Sequence, residues 1–225
     1  MIGGAVAGEK GVVLREFCAE NLERVPSALD AGAGRIELCD NLAVGGTTPS
    51  LGVIEAAVDL CHARGARVMC MIRPRGGGFE YSPAEAEIMA RDLSCAAEAG
   101  VDGAVFGCLR DGGFDRPLMG RLVEQAHAAG LEVTMHMAFD ELDAVAQRVA
   151  IEELAALGVE RVLTHGGSAG VPIEKTLPHL KEIVSWANGR LTVLPGGGVT
   201  HKNAELVAGE LGVSEVHGTR VVPLA

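Results

Sequence analysis

Aromatic residues are scarce, with one Trp, one Tyr and five Phe in 225 residues. That is too few for a platform on which bases stack. Basic residues are outnumbered, 19 Lys and Arg against 30 Asp and Glu, for a formal net charge of −11. A nucleic-acid binder needs a basic face for the phosphates, so no nucleic-acid partner is expected. No apolar run approaches the ~20 residues that cross a bilayer, so no membrane partner is expected either. The first residues are small and glycine-rich, without a basic segment leading into an apolar one. None of the six cysteines forms the C-x-x-C pairs of a zinc or redox motif. The expectation is a cytoplasmic, reduced protein, with 1–11 a flexible N-terminal tail and 12–225 one domain.

Apolar residues are plentiful at 48%, enough for a sizeable core, and the 31 glycines are about twice the usual share. Short apolar or β-branched runs at 12–17, 35–38, 67–72, 103–108, 132–137, 161–164, 191–194 and 215–220 read as strands. Longer Ala/Leu/Glu-rich segments at 20–31, 51–64, 83–99, 115–129, 142–157, 173–186 and 201–209 read as helices. Ser82-Pro83 with Glu85 supplies a helix start, and Gly32, Gly65, Gly100, Gly130 and Gly158 supply helix ends. AGAGRIEL, RGARVMCM, AGVDGAVF, AGLEVTMH, LGVERVLT and LGVSEVHG repeat one joint six times: helix end, glycine, spacer, strand. Such alternation calls for parallel strands and right-handed crossovers. Eight units predict an α/β fold, a single (β/α)8 TIM-like barrel; no G-x-G-x-x-G follows the first strand, as an open dinucleotide-binding sheet would require. The chain stops soon after the eighth strand, so the final helix is missing, and the bare outer face is expected to be exposed and to pair with another copy in a homodimer or higher homo-oligomer, the alternative being that the N-terminal tail covers it.

Barrel chemistry gathers at the C-terminal ends of the strands, so polar residues there are informative. Glu16, Glu37, Arg73, His136, Asp140 and His217 are candidate catalytic residues, since a His–Glu pair can move protons while Arg73 holds an anion or developing charge. The bland alternative is an ion pair of Glu16 or Glu37 with Arg35 or Arg73. Arg75, in Arg73-Pro-Arg75 followed by three glycines, and the Gly196-Gly197-Gly198 turn are candidate anion-binding elements, with His165 beside them. The glycine triplet reads equally as a tight turn. His62, His127, His179 and His201 fall on helices or their ends and read as surface residues.

Sulfur clusters on the first strands. Cys18 and Cys39 end adjacent strands, and Met69-Cys70-Met71 lies on the next. Thiolates and thioethers select Cu(I), but both side chains are also ordinary core fillers. Strand alternation sends neighbours in Met69-Cys70-Met71 to opposite faces.

The strings ELCDNLAVGGTTPSLGV, MIRPRGGGFEYSP, MHMAFD, RVLTHGG and EVHGT, in this order, closely resemble the signatures of the CutC-type copper homeostasis proteins, from about residue 12 to 219. The resemblance implies a TIM-like barrel and cytoplasmic Cu(I) binding, with Cys18 and Cys39 as metal ligands and copper as the ion carried. Glu16, Glu37, Arg73, Arg75, His136, Asp140 and His217 match shared polar positions. This chain departs from the pattern at Met137 (the family's arginine in H-R-A-F-D), at His165 (its serine in L-T-S-G-G) and at Val44, which begins Val44-Gly-Gly-Thr47-Thr-Pro-Ser where the family has E-G-G-L-T-P-S. Two functional expectations follow. One is a copper handler. The other is an enzyme that uses the Glu/His/Arg rim on a small anionic or sugar-like molecule.

Overall fold

Alternation of the two segment types builds an eight-stranded parallel sheet rolled into a nearly closed barrel, with helices outside. The computed structural model describes residues 12–168 and 170–224. The predicted tail, 1–11, lies outside the described residues. The elements run β1 (Leu14–Glu20), α1 (Val25–Asp30), β2 (Arg35–Cys39), α2 (Leu51–His62), β3 (Arg67–Met71), α3 (Pro83–Glu98) and β4 (Gly103–Phe106). A small antiparallel hairpin, β5 (Leu109–Arg110) with β6 (Gly113–Phe114), interrupts the repeat. The alternation resumes with α4 (Arg116–Ala128), β7 (Glu132–Met135), α5 (Ala144–Leu157), β8 (Arg161–Thr164), α6 (Ile173–Ala187), β9 (Thr192–Pro195), α7 (Ala204–Leu211) and β10 (Glu215–Gly218).

The sheet order is β10-β1-β2-β3-β4-β7-β8-β9, and every ladder is parallel. At the seam β9 and β10 lie side by side, tied by a parallel bridge between Thr200 and Arg220. All five glycines expected at helix ends have positive φ, as a left-handed C′ residue requires. Ser82 and Glu85 form a full capping box on α3.

Several boundaries differ from the sequence reading, and three of them have a local cause. β1 runs on to Glu20 because Ala19 and Glu20 pair with Leu38 and Cys39. In consequence α1 shrinks to six residues, started by Pro26 in its first turn. β4 ends at Phe106 because Asp111 and Gly112, both at positive φ, turn the chain into the hairpin.

Period-2 alternation sorts the strand residues into two cores. Phe17, Ile36, Leu38, Val68, Cys70, Phe106, Val133 and Val162 face the helices in the main apolar layer. Cys18, Cys39, Met69, Met71 and Val105 form a separate cluster inside the barrel. The outer face beside β1 and β10, expected to be bare, is not exposed: Phe17, Val216, Val221 and Val222 are all buried. The chain after β10 folds back into the main layer with Val221 and Val222 and covers part of this face. The most exposed large apolar side chain within a helix belongs instead to Val145 on α5.

Candidate functional site

The inward-facing residues form levels along the barrel axis, and the lowest is ionic. Arg35 pairs with Glu16, and its Nη2 lies 2.6 Å from Glu215. Glu132 takes Arg67 at 2.8 Å and also pairs with Arg161, whose Nε donates to Thr134 Oγ1 at 3.1 Å. These charges compensate one another at the N-terminal end of the barrel, where burial of any one alone would be costly. Glu16 therefore sits low, not on the rim. Burial would raise its carboxyl, but Arg35 and then His217 outweigh that and hold it at about 2. Glu16 makes the contacts of both readings, an ion pair with Arg35 and a hydrogen-bond contact with His217.

The next level mixes acid, imidazole and sulfur. His217 Nδ1 lies 2.8 Å from Glu16 Oε1 and 3.9 Å from Glu37 Oε2. The Sγ atoms of Cys18 and Cys39 stand 3.5 and 3.4 Å from Glu37 Oε1. Ligand atoms of Cys18, Glu37 and Cys39 all fall within 4.8 Å of one another, and so do those of Glu16, Glu37 and His217. Every member is buried.

Charges in this cluster are redistributed by that burial. A hydrogen bond from the Cys39 thiol, against the cost of burial and with help from His217, pulls Cys18 down to about 5. Cys39, the donor in that pair and further buried, is pushed well up. Burial raises Glu37 to about 8 despite the attraction of His217. His217 is raised because the surrounding acids, Glu37 foremost, overcome the burial that would lower it. Burial and the contact between them thus push the two thiols in opposite directions, Cys18 down and Cys39 up. Glycine at position 46 is needed here, since a Cβ would stand 3.2 Å from Cys39 Sγ on a backbone at φ +86.

At the C-terminal rim, Arg73 is 97% removed from solvent. Its Nη1 donates to the carbonyls of Val44 and Gly46, both at 2.9 Å, and Nη2 donates to Gly77 at 2.6 Å. It therefore clamps the loops after β2 and β3. Arg75 is more exposed and is spent on Glu85 at 2.5 Å and on the carbonyls of Gly78 and Glu80. His136 is buried, its Nδ1 accepting from Ala138 N–H at 3.2 Å, and burial followed by the charge of Arg73 holds it down at about 3. Asp140 accepts from Thr164 Oγ1 at 2.5 Å, His165 N–H at 2.9 Å and Gly166 N–H at 3.2 Å. Its carboxylate latches the loop after β8. His165 directs Nδ1 to the Gly196 carbonyl at 3.2 Å, and Gly197 must lack a Cβ to pass His165 and Met137. The triplet 196–198 thus makes a tight turn over His165, and Asn203 closes it by donating to the Gly198 carbonyl at 3.1 Å.

The structure brings Glu16, Cys18, Glu37, Cys39 and His217 into one cluster. Arg73 and His136 form a neighbouring one, and Asp140, His165 and 196–198 lie along a third stretch of the rim. Sequence reasoning missed Glu132, Arg161 and Glu215 in the ionic floor. Their signal is positional: each is the first residue of its strand and faces inward with Arg35.

A model of the CutC family matches residues 13–222. A family protein CutC from Enterococcus faecalis is 50% identical over 211 residues, covering 93% of this chain and all of the relative. A mouse protein named copper homeostasis protein cutC homolog is 42% identical over 218 residues, 96% of this chain and 76% of that protein. A solved CutC structure from Streptococcus agalactiae superposes with a TM-score of 0.90 at 44% identity, covering 94% of this chain and 100% of that one. Deoxyribose phosphate aldolase from Aeropyrum pernix shares the fold, with a TM-score of 0.69 at 14% identity, covering 92% of this chain and 86% of that one.

Proposed function

This chain belongs to the CutC family, and from that premise we propose that it is a cytoplasmic Cu(I)-handling protein that carries the ion between Cys18 and Cys39. The observation that carries this reading is the pair of buried thiols held within reach of each other, beside one carboxylate oxygen. Cu(I) favours thiolate and thioether ligands, and Met69 and Met71 share the same interior cluster as the two cysteines. Hard cations such as Mg²⁺ or Ca²⁺ need six or more oxygen ligands, which this level does not offer. A structural Zn²⁺ site needs four ligands, and the nearest imidazole, His217, is engaged with Glu16.

The shared proton of the thiol pair gives the site its chemistry. Cys18 already favours the thiolate, so Cu(I) displaces one proton, from Cys39. His217 and the Glu37 carboxyl stand beside the pair to buffer that change of charge. A reduced compartment suits six unpaired cysteines, five of them buried. No helix among the described residues is long and apolar enough to cross a membrane.

Anaerobic titration of Cu(I) against a chromogenic competitor tests the reading. The expected result is one tightly held ion per chain, lost when Cys18→Ser and Cys39→Ser are combined in a folded protein. Binding that is weak, or unchanged by the double substitution, overturns it.

A further inference from the structure

Beside the sulfur cluster, three neighbouring buried polar groups each keep an atom without a hydrogen-bond partner among the described residues, and two of them stack on one aromatic ring. Arg73 Nε, Tyr81 Oη and His136 Nε2 are all buried and have no hydrogen-bond partner. The guanidinium has no carboxylate within ion-pair distance among the described residues, an unusual state for a charge only 3% exposed. Its contacts are the three carbonyls and the ring of Phe79, whose centroid lies 4.8 Å from Cζ. The carbonyls take both hydrogens of Nη1 and one of Nη2. What is left is Nε–H and one Nη2–H, donors that suit the two oxygens of a carboxylate.

Of the other two groups, the His136 ring adds a donor, while the Tyr81 hydroxyl can donate or accept. His136 Nδ1 accepts from Ala138 N–H, so the proton of the neutral ring is on Nε2. The same Phe79 ring lies 4.9 Å from the His136 ring. Tyr81 follows two residues after Phe79; burial pushes its hydroxyl up, and Arg73 works against that by its charge and by a loose hydrogen-bonding approach of the guanidinium, outside full hydrogen-bond geometry. Phe79 also lines a cavity of about 600 Å³ shared with Gly77, Leu109, Glu80 and Glu141. Phe79 is thus shared by this cavity and by the Arg73 and His136 side chains that stack on it. With Arg75 and two glutamates on its wall, the cavity carries one net negative charge, which opposes a doubly charged anion more than a singly charged one.

We propose that Arg73, Tyr81 and His136 form a binding site for a small monocarboxylate, which enters past Phe79 and completes the hydrogen bonding of the buried guanidinium. The site is separate from the thiol pair, although the turn at Gly45 and Gly46 touches both: Gly46 gives its carbonyl to Arg73 and packs against Cys39. The proposal stands whether or not copper binds.

Tyr81 is the only tyrosine in the chain, so protein carrying ring-¹³C tyrosine reports on this site with a single resonance. Copper-free protein would be titrated with sodium pyruvate as the probe carboxylate, with sodium chloride holding ionic strength constant and sodium phosphate run in parallel. A saturable shift of the Tyr81 signal with pyruvate is expected, stronger than any with phosphate. Arg73→Lys keeps the charge but loses the fork, and should weaken pyruvate binding about tenfold or more. Should Arg73→Lys fail to fold, His136→Gln carries the test and should weaken binding severalfold. No saturable shift, a tighter response to phosphate, or unchanged affinity in the folded variants would overturn the assignment.

Discussion

Acid should reveal His136 as a buried neutral imidazole. Burial first, and Arg73 second, hold its pKa at about 3 against an ordinary 6.5. Between those values the unfolded chain binds a proton that the native protein refuses, so this group's contribution to stability is lost as pH falls through that window. At pH 5 the loss is about 2 kcal/mol, the free energy of protonating the unfolded imidazole alone. Glu37 acts with the opposite sign. Its carboxyl, raised from 4.5 to about 8 by burial, keeps a proton the unfolded chain releases, so its contribution is lost as pH rises through that range. The two slopes oppose each other between 4.5 and 6.5, and the wild-type curve alone hides both. A difference isolates His136: urea unfolding of wild type and His136→Gln at pH 7 and pH 5. The stability advantage of wild type should shrink by about 2 kcal/mol on acidification. Parallel curves would show that position 136 does not titrate as the structure requires, and would refute the reasoning.

Two further outcomes concern the frame of the site. Arg35→Met leaves Glu16 and Glu215 without their buried partner, and should cost about 3–5 kcal/mol in urea unfolding; a loss below about 1 kcal/mol would make the ionic floor a surface-like pair. Gly197→Ala puts a Cβ 3.0 Å from His165 Nδ1 and Met137 Cε at φ +69, and should cost about 1–2 kcal/mol; an unchanged unfolding midpoint would contradict the turn geometry.

Most of the barrel was legible because its signals are local. A glycine that must take positive φ after each helix, as at Gly32 or Gly158, leaves a mark in the sequence at every joint. The length of β1 was not legible, because Glu20 is held in the strand by Cys39, a partner that only the sheet supplies. The hairpin after β4 hid in Asp111-Gly112, whose strands are two residues long and carry no period. The family strings pointed to Cys18 and Cys39, and the structure sets their thiols beside each other. Sequence could not say which polar residues were already occupied. Asp140 matched the rim pattern as well as Glu37 did, yet its oxygens are spent on Thr164, His165 and Gly166, while Glu37 keeps Oε2 without a partner. Occupancy of this kind depends on three-dimensional neighbours far apart in the chain, as with Glu16 and His217.

The central claim is that copper sits between two thiols inside the barrel. X-ray absorption at the copper edge, on protein loaded anaerobically with one Cu(I) per chain, tests it most directly. The account predicts a shell of two or three sulfur ligands that disappears when Cys18→Ser and Cys39→Ser are combined. A shell of nitrogen and oxygen, or a sulfur shell that survives the double substitution, would contradict it.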